Sequence, residues 1–270
     1  MNRFWCIFFT AAAVIAVVFC AIGPSYGWWF PSASVSPLGA QIDDLFYLIL
    51  VITAVTFIGV HIVLAYVLWT YGSGVPRRST FSHGSHTLEV VWSIVPAGIL
   101  LFIALYQMDV WARYRVKSNF PVEAAARPVA EVTARQFEWR IRYPAPGKTL
   151  QDTPQPDDLY TVNDLHVPVG RPVMIKLRSE DVLHSFFLPH LRVKQDAVPG
   201  LVIPVWFQSD KSGAYDLVCA ELCGWGHYKM RGQLTVERSE EFQKYLQDLT
   251  ESQFDDGVVV AAGGKNDEAN

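Results

Sequence analysis

Residues 45–70 form an unbroken run of 26 without a single Lys, Arg, Asp or Glu. A helix rises about 1.5 Å per residue, and about 20 apolar residues cross the hydrocarbon core of a bilayer. The run is therefore long enough to span a membrane, and no water-soluble fold has an obvious place for it. Two further uncharged runs flank it, Phe4–Ile22 and Val90–Met108. The second and third runs predict a transmembrane helical hairpin within residues 43–112, with Pro96 kinking the later helix unless it sits in the first turn. Residues 1–23 fit either a cleaved signal peptide or an extra transmembrane helix. Cys20 follows Phe19 rather than a small residue, which makes a poor lipoprotein site. Cys6 and Cys20 are expected to face lipid or to leave with that segment.

Charge gives the orientation. The short connection Tyr71–His86 holds Arg77 and Arg78 and no acid, which places it in the cytoplasm. Arg113 and Arg115 pull the other way, but a large domain translocates despite its charges. The chain from Arg113 onward is then expected on the periplasmic or outer face of a bacterial-type cell membrane. Nearly all the ionised side chains lie there. Of 22 Lys and Arg, only Arg3, Arg77 and Arg78 precede Arg113. With 26 Asp and Glu, the chain is close to charge balance, which argues against a nucleic-acid-binding surface.

Residues 128–237 read as β structure. Val173, Ile175 and Leu177 alternate with Met174, Lys176 and Arg178, as in a half-buried strand. Leu201–Gln208, Ala214–Val218 and Gly232–Val236 are further short apolar runs, and Gly and Pro punctuate them. Short strands at this spacing predict a two-sheet sandwich. Ser239 is the expected cap of an amphipathic helix over 238–250, with Phe242, Tyr245, Leu246 and Leu249 on its apolar face. Residues 251–270 are expected to be disordered.

The chemistry concentrates in twelve residues, Cys219-Ala-Glu-Leu-Cys223-Gly-Trp-Gly-His227-Tyr-Lys-Met230. Thiolates and an imidazole suit copper or zinc. His184 upstream offers a second imidazole. A mononuclear blue-copper site uses one Cys, two His and a weak axial Met. Here a second Cys is present, and two thiolates can bridge two copper ions that each take one His. Met230 would be axial to one, and a loop carbonyl, that of Glu221, to the other. A structural Cys2His2 zinc site, or a disulfide beside unrelated histidines, is the competing reading of the same residues.

The motif C-x-E-x-C-x3-H-x2-M closely resembles cytochrome c oxidase subunit II. So do Asp181–Phe187 (DVLHSFF) and Lys194-Gln-Asp196-Ala-Val-Pro199-Gly200 upstream. The resemblance covers roughly Asp43 to Leu249. It implies a membrane-anchored β protein, a transmembrane helical hairpin followed by a cupredoxin-like Greek-key β-sandwich. It also implies a binuclear copper A centre. His184, Cys219, Cys223, His227 and Met230 match the side-chain ligands, and Glu221 the carbonyl ligand. The carboxylate of Glu221 matches one that reaches a magnesium ion shared with the catalytic subunit. The implied partners are cytochrome c, the haem-copper catalytic subunit I that reduces oxygen to water, and the other oxidase subunits.

The chain departs from that pattern in places. The family often reads Gln-Trp-aromatic-Trp early in the sandwich, and the first Trp accepts the electron. Here the stretch is Gln136-Phe137-Glu138-Trp139, so Trp139 becomes the substitute, weighed against an ordinary core Trp. On a strand, Phe137 and Trp139 would share one face. Leu201 stands where many members carry Arg. No C-x-x-C-H occurs, so no fused haem c domain is expected.

Other residues have two readings. Glu89 opens the third apolar run. It is either a dipole-stabilised surface acid or, by the resemblance, the mouth of a proton channel. Glu180 and Asp181 precede His184, as solvated acids or as a docking patch for a basic cytochrome c. His61 lies inside the second run and is expected to pack against the catalytic subunit. The competing function is a membrane-anchored copper carrier or sensor with no electron-transfer role. Such a chain needs labile Met- or His-rich ligands, and this one has only four Met.

Overall fold

The computed structural model describes residues 2–28, 33–71 and 81–254. The connection carrying Arg77 and Arg78, and the tail expected to be disordered from residue 255 on, lie outside the described residues. The chain divides into two units. One comprises Met1–Ser32 and Gln41–Ala112, the other Ala33–Ala40 and Arg113–Asn270.

The first unit is helical. Helices α1 (Asn2–Ile22), α2 (Pro37–Tyr71) and α3 (His86–Arg115) are each long and apolar enough to cross a membrane. Large apolar side chains such as Phe8, Val55, Val63, Ile94 and Leu101 are exposed, the signature of helices whose solvent is lipid. α3 runs unbroken through Pro96. Cys6 does not face lipid as expected. It is buried against α2, its Sγ 3.5 Å from the Ala65 carbonyl. His61 bonds its own helix at the Phe57 carbonyl and lines a groove shared with Val14 and Val17 of α1.

The second unit is a β-sandwich. Its strands are β1 (Ala130–Arg135), β2 (Glu138–Tyr143), β3 (Leu159–Val162), β4 (Asp164–Pro168), β5 (Val173–Ser179), β6 (His184–Leu188), β7 (Val193–Ala197), β8 (Ile203–Phe207), β9 (Gly213–Cys219) and β10 (Arg231–Glu237). One sheet has the order β3-β2-β1-β5-β8, the other β4-β10-β9-β6-β7. Two pairings, β1 with β5 and β4 with β10, are parallel. A short helix, α4 (Val122–Ala126), leads into β1.

Side chains two apart on a strand share a face. Trp139, Ile141 and Tyr143 of β2 therefore meet Phe186 and Leu188 of β6, Leu217 of β9 and Leu234 of β10 in one core. Burying each such side chain stabilises the fold by about 1.5–3 kcal/mol. The outer face of the first sheet hides a charge cluster. Arg142 is 3.1 Å from Glu131 and 2.6 Å from Asp158, and donates to the Gln151 carbonyl at 3.0 Å. A buried charge persists only when paired in this way.

Two local features place the rest. Residues 33–36 lie on the sandwich, with the Val35 N–H on the His190 carbonyl and the Asp210 N–H on the Val35 carbonyl, each at 3.0 Å. The terminal helix α5 (Ser239–Phe254) outruns the expected 238–250, because Gln253 exchanges two hydrogen bonds with the Tyr160 backbone. Its cap is Arg238 rather than Ser239. The Arg238 carbonyl receives the Phe242 N–H, and the Arg238 N–H donates back to Glu241 at 3.0 Å.

Candidate metal centre

His184 and Cys219 each close an inward-facing row. On β6 the row is His184, Phe186, Leu188; on β9 it is Leu217 then Cys219, and Phe186 lies opposite Cys219 in the ladder. The core-facing period of two thus delivers an imidazole and a thiol to the same end of the sandwich. After Cys219 the chain forms a loop that returns at Met230, where the Cys219 N–H meets the Met230 carbonyl at 3.2 Å. A short 3-10 turn over His227–Lys229 aims His227 back into the loop.

The donor atoms converge. The two cysteine sulfurs are 3.8 Å apart, and both residues are free thiols. His184 Nδ1 is 3.9 Å from the Cys219 sulfur, and His227 Nδ1 is 3.7 Å from the Cys223 sulfur. The Met230 sulfur is 3.8 Å from that of Cys223, and the Glu221 carbonyl is 3.3 Å from that of Cys219. His184, Cys219 and Cys223 are all buried and offer donor atoms within 4.8 Å of one another.

Proton affinities diverge within the pair. Burial opposes ionisation of Cys219, but hydrogen bonds with the His184 ring, the backbone at Ser185 and Glu221 and the His227 ring together outweigh it and bring that thiol down to about 6. Burial and the negative charge of Cys219 together push Cys223 up to about 12. One thiol gives up its proton readily and the other resists, which is what two sulfurs sharing a small site do until a cation satisfies both. The donor set of two sulfurs, two imidazole nitrogens, a thioether and a carbonyl fits a soft or borderline metal.

Surrounding residues hold this arrangement. Asp181 accepts three hydrogen bonds, from the Gln136 N–H at 2.7 Å, the Val182 N–H at 2.6 Å and His184 Nε2 at 2.8 Å. Burial alone would raise its carboxyl, and these donors hold it below the usual carboxylate range. Asp181 thus turns its charge inward, onto the imidazole. Glu180 stays half exposed, 3.7 Å from Arg140.

Trp139 sits where an ordinary core Trp would. It is fully buried, edge-on to Phe186 and 6.3 Å from the His184 ring, so a docking protein cannot touch it. Nor do Phe137 and Trp139 share a strand face. Gln136 and Phe137 form the two-residue turn between β1 and β2, closed by the Arg135–Glu138 pair. That turn clamps the metal loop. Gln136 Nε2 donates to the Cys223 carbonyl at 2.5 Å, and the Phe137 ring lies against Gly224 and Gly226. Sequence reading passed over these glycines, although two glycines flanking one residue in a ligand loop signal close approach by another group. Glu89 lies exposed in the first turn of α3, 3.9 Å from His86.

Fold and site together define a membrane-anchored β-sandwich with a paired-thiol, paired-imidazole candidate metal site. Comparison with known proteins gives the family. The family model described as cytochrome c oxidase subunit II, periplasmic domain, matches residues 141–236, and the corresponding transmembrane domain matches residues 24–110. The chain is 31% identical over 255 residues to the alternative cytochrome c oxidase subunit 2 of Bradyrhizobium diazoefficiens, covering 87% of this chain and 88% of that protein. It is 29% identical over 259 residues to cytochrome c oxidase subunit 2 of Cereibacter sphaeroides, covering 85% and 82%. The crystal structure of the periplasmic domain of subunit II of cytochrome oxidase from Bradyrhizobium japonicum overlaps 46% of this chain and 93% of its own, at 25% identity and a TM-score of 0.40. The chain belongs to the cytochrome c oxidase subunit II family. It is a membrane protein and an oxidoreductase subunit with an outward-facing sandwich, and the family's transmembrane part takes in two spans, α2 and α3, with α1 ahead of it.

Proposed function

We propose that this chain accepts electrons from cytochrome c at a binuclear copper A centre and passes them to the haem-copper catalytic subunit I, where oxygen is reduced to water. The observation that carries the reading is the doubled donor set, two free thiols 3.8 Å apart with one imidazole Nδ1 facing each. Copper bound there supplies one-electron redox chemistry. His184, Cys219, Cys223, His227, Met230 and the Glu221 carbonyl are its proposed ligands. The rest is the work of the chain. Asp181 fixes the ring of His184 so that Nδ1 is the free donor. Gln136 pins the backbone at Cys223, and the core behind Trp139 and Phe186 excludes water. A site held this firmly changes little on gaining or losing an electron, which favours transfer over substrate chemistry and does not suit a labile carrier or sensor.

The same reading gives Glu221 a carboxylate for a magnesium ion shared with the catalytic subunit, Glu180 a place at the rim of the cytochrome c docking face, and Glu89 a role in proton uptake from the cytoplasm. The deciding experiment is metal analysis and electron paramagnetic resonance of the purified chain. Two coppers per chain and a seven-line hyperfine pattern, from one electron shared by two nuclei of spin three-halves, are expected. One copper with four lines overturns the binuclear assignment.

A further inference from the structure

We propose that the electron reaches the centre through Trp225. This rests on the electron-transfer reading above and concerns how the donor meets the site. Trp225 stands midway between Cys223 and His227, two residues from each of these ligands. Its side chain is 77% exposed. Its ring meets the Phe137 ring edge-on, with centroids 5.2 Å apart, and Phe137 in turn lies on the backbone of Gly224 and Gly226. Trp225 thus roofs the turn that clamps the metal loop, and a protein approaching this face touches the indole before it reaches Phe137. The other tryptophan of this corner, Trp139, is sealed in the core.

Two further features fit a contact made through aromatic surface rather than charge. Leu222, in the same loop, is also exposed. The nearby acids are compromised as a patch, because Asp181 is bonded inward and Glu180 faces Arg140. Lys229 Nζ lies 4.7 Å from the Trp225 ring centroid, and a cation over the ring holds the indole in place against the loop. The step itself moves one electron and no atoms. The ferrous haem of a c-type cytochrome becomes ferric, and the two-metal centre is reduced by one electron. Coupling through matter falls steeply with distance, so a π-system at the surface joined to two ligands by four backbone links is the favoured way in.

The test uses the full chain in its assembled oxidase. Trp225→Leu, Trp225→Phe and Tyr228→Leu are compared with the unaltered protein by stopped flow, with saturating reduced cytochrome c and, separately, with hexaammineruthenium(II), which needs no docking. Trp225→Leu is expected to slow reduction by cytochrome c at least tenfold while leaving reduction by the ruthenium complex and the visible spectrum unchanged, and Trp225→Phe to fall between. A rate unchanged in Trp225→Leu, or slowing by Tyr228→Leu instead, overturns the proposal. If the unaltered protein takes electrons from ruthenium but not from any c-type cytochrome, the parent reading fails and this one with it. A second readout needs no metal. Hydroxyl-radical footprinting of the metal-free chain should label Trp225 heavily and Trp139 hardly at all, and oxidised cytochrome c should protect Trp225. Absence of that protection also counts against the proposal.

Discussion

Asp181 Oδ1 lies 2.8 Å from His184 Nε2, on the far side of the ring from the Cys219 sulfur that faces Nδ1. The carboxylate therefore chooses which nitrogen of the imidazole is available to a metal.

Asp181→Asn removes one of the two acceptor oxygens, so either Gln136 or His184 loses its partner. Metal affinity should fall about 10–100-fold, the usual effect of removing a residue that orients a ligand. The association rate with cytochrome c and its salt dependence should stay close to the original, because the lost charge faced inward. Competition titration against a copper chelator reads the first, and stopped-flow mixing at several ionic strengths the second. A collapse of association with intact affinity would restore the docking role.

Gly226→Ala would place a Cβ 2.5 Å from the Phe137 ring. Overpacking of this kind costs about 1–3 kcal/mol. The loop should bind metal more weakly, and the double variant with Phe137→Leu should recover much of the loss. Thermal unfolding and metal titration across the cycle check this, and strict additivity would contradict the clamp.

His166 stacks on Tyr245 of α5, 3.6 Å between ring centroids, with Nδ1 2.9 Å from Glu237 and Nε2 3.2 Å from Asp164. Partial burial would lower its pKa, but the two carboxylates raise it above its ordinary value. A group whose folded pKa is raised lends stability that is full below its unfolded value of about 6.5 and is lost as pH climbs through the folded value. The sandwich should therefore weaken from neutral toward mildly alkaline pH, with α5 loosening first. In His166→Gln that slope should flatten, which denaturant melts across this range would show.

Glu89→Gln should slow oxygen turnover of the assembled enzyme while leaving reduction of the metal centre by cytochrome c intact. The exposed first-turn position of Glu89 on α3 is also where any acid helps a helix dipole. Turnover that stays unchanged from acid to alkaline pH would leave it only that role.

The candidate ligands of the loop were legible because they are local. Cys219, Cys223, His227 and Met230 fit in one loop, and their chemistry needs no tertiary information. What holds them was not. The grip on Asp181 comes partly from Gln136, 45 residues away in sequence. The turn at Gln136–Phe137 carries neither Gly nor Asn, the usual hairpin signals, so β1 and β2 read as one stretch and put Phe137 on the wrong footing. Glu131 and Arg142 occupy outer-face positions that read as solvated, yet their charges are buried against each other. The alternation of Trp139, Ile141 and Tyr143 with Glu138, Arg140 and Arg142 was nonetheless there to be read, and it already put Trp139 inside.

The hydrogen bonds of Val35 to His190 and Asp210 have a topological consequence. The chain leaves the sandwich unit at Ala40 and rejoins it at Arg113, so the number of membrane crossings between those points must be even. Helices α2 and α3 account for that even number.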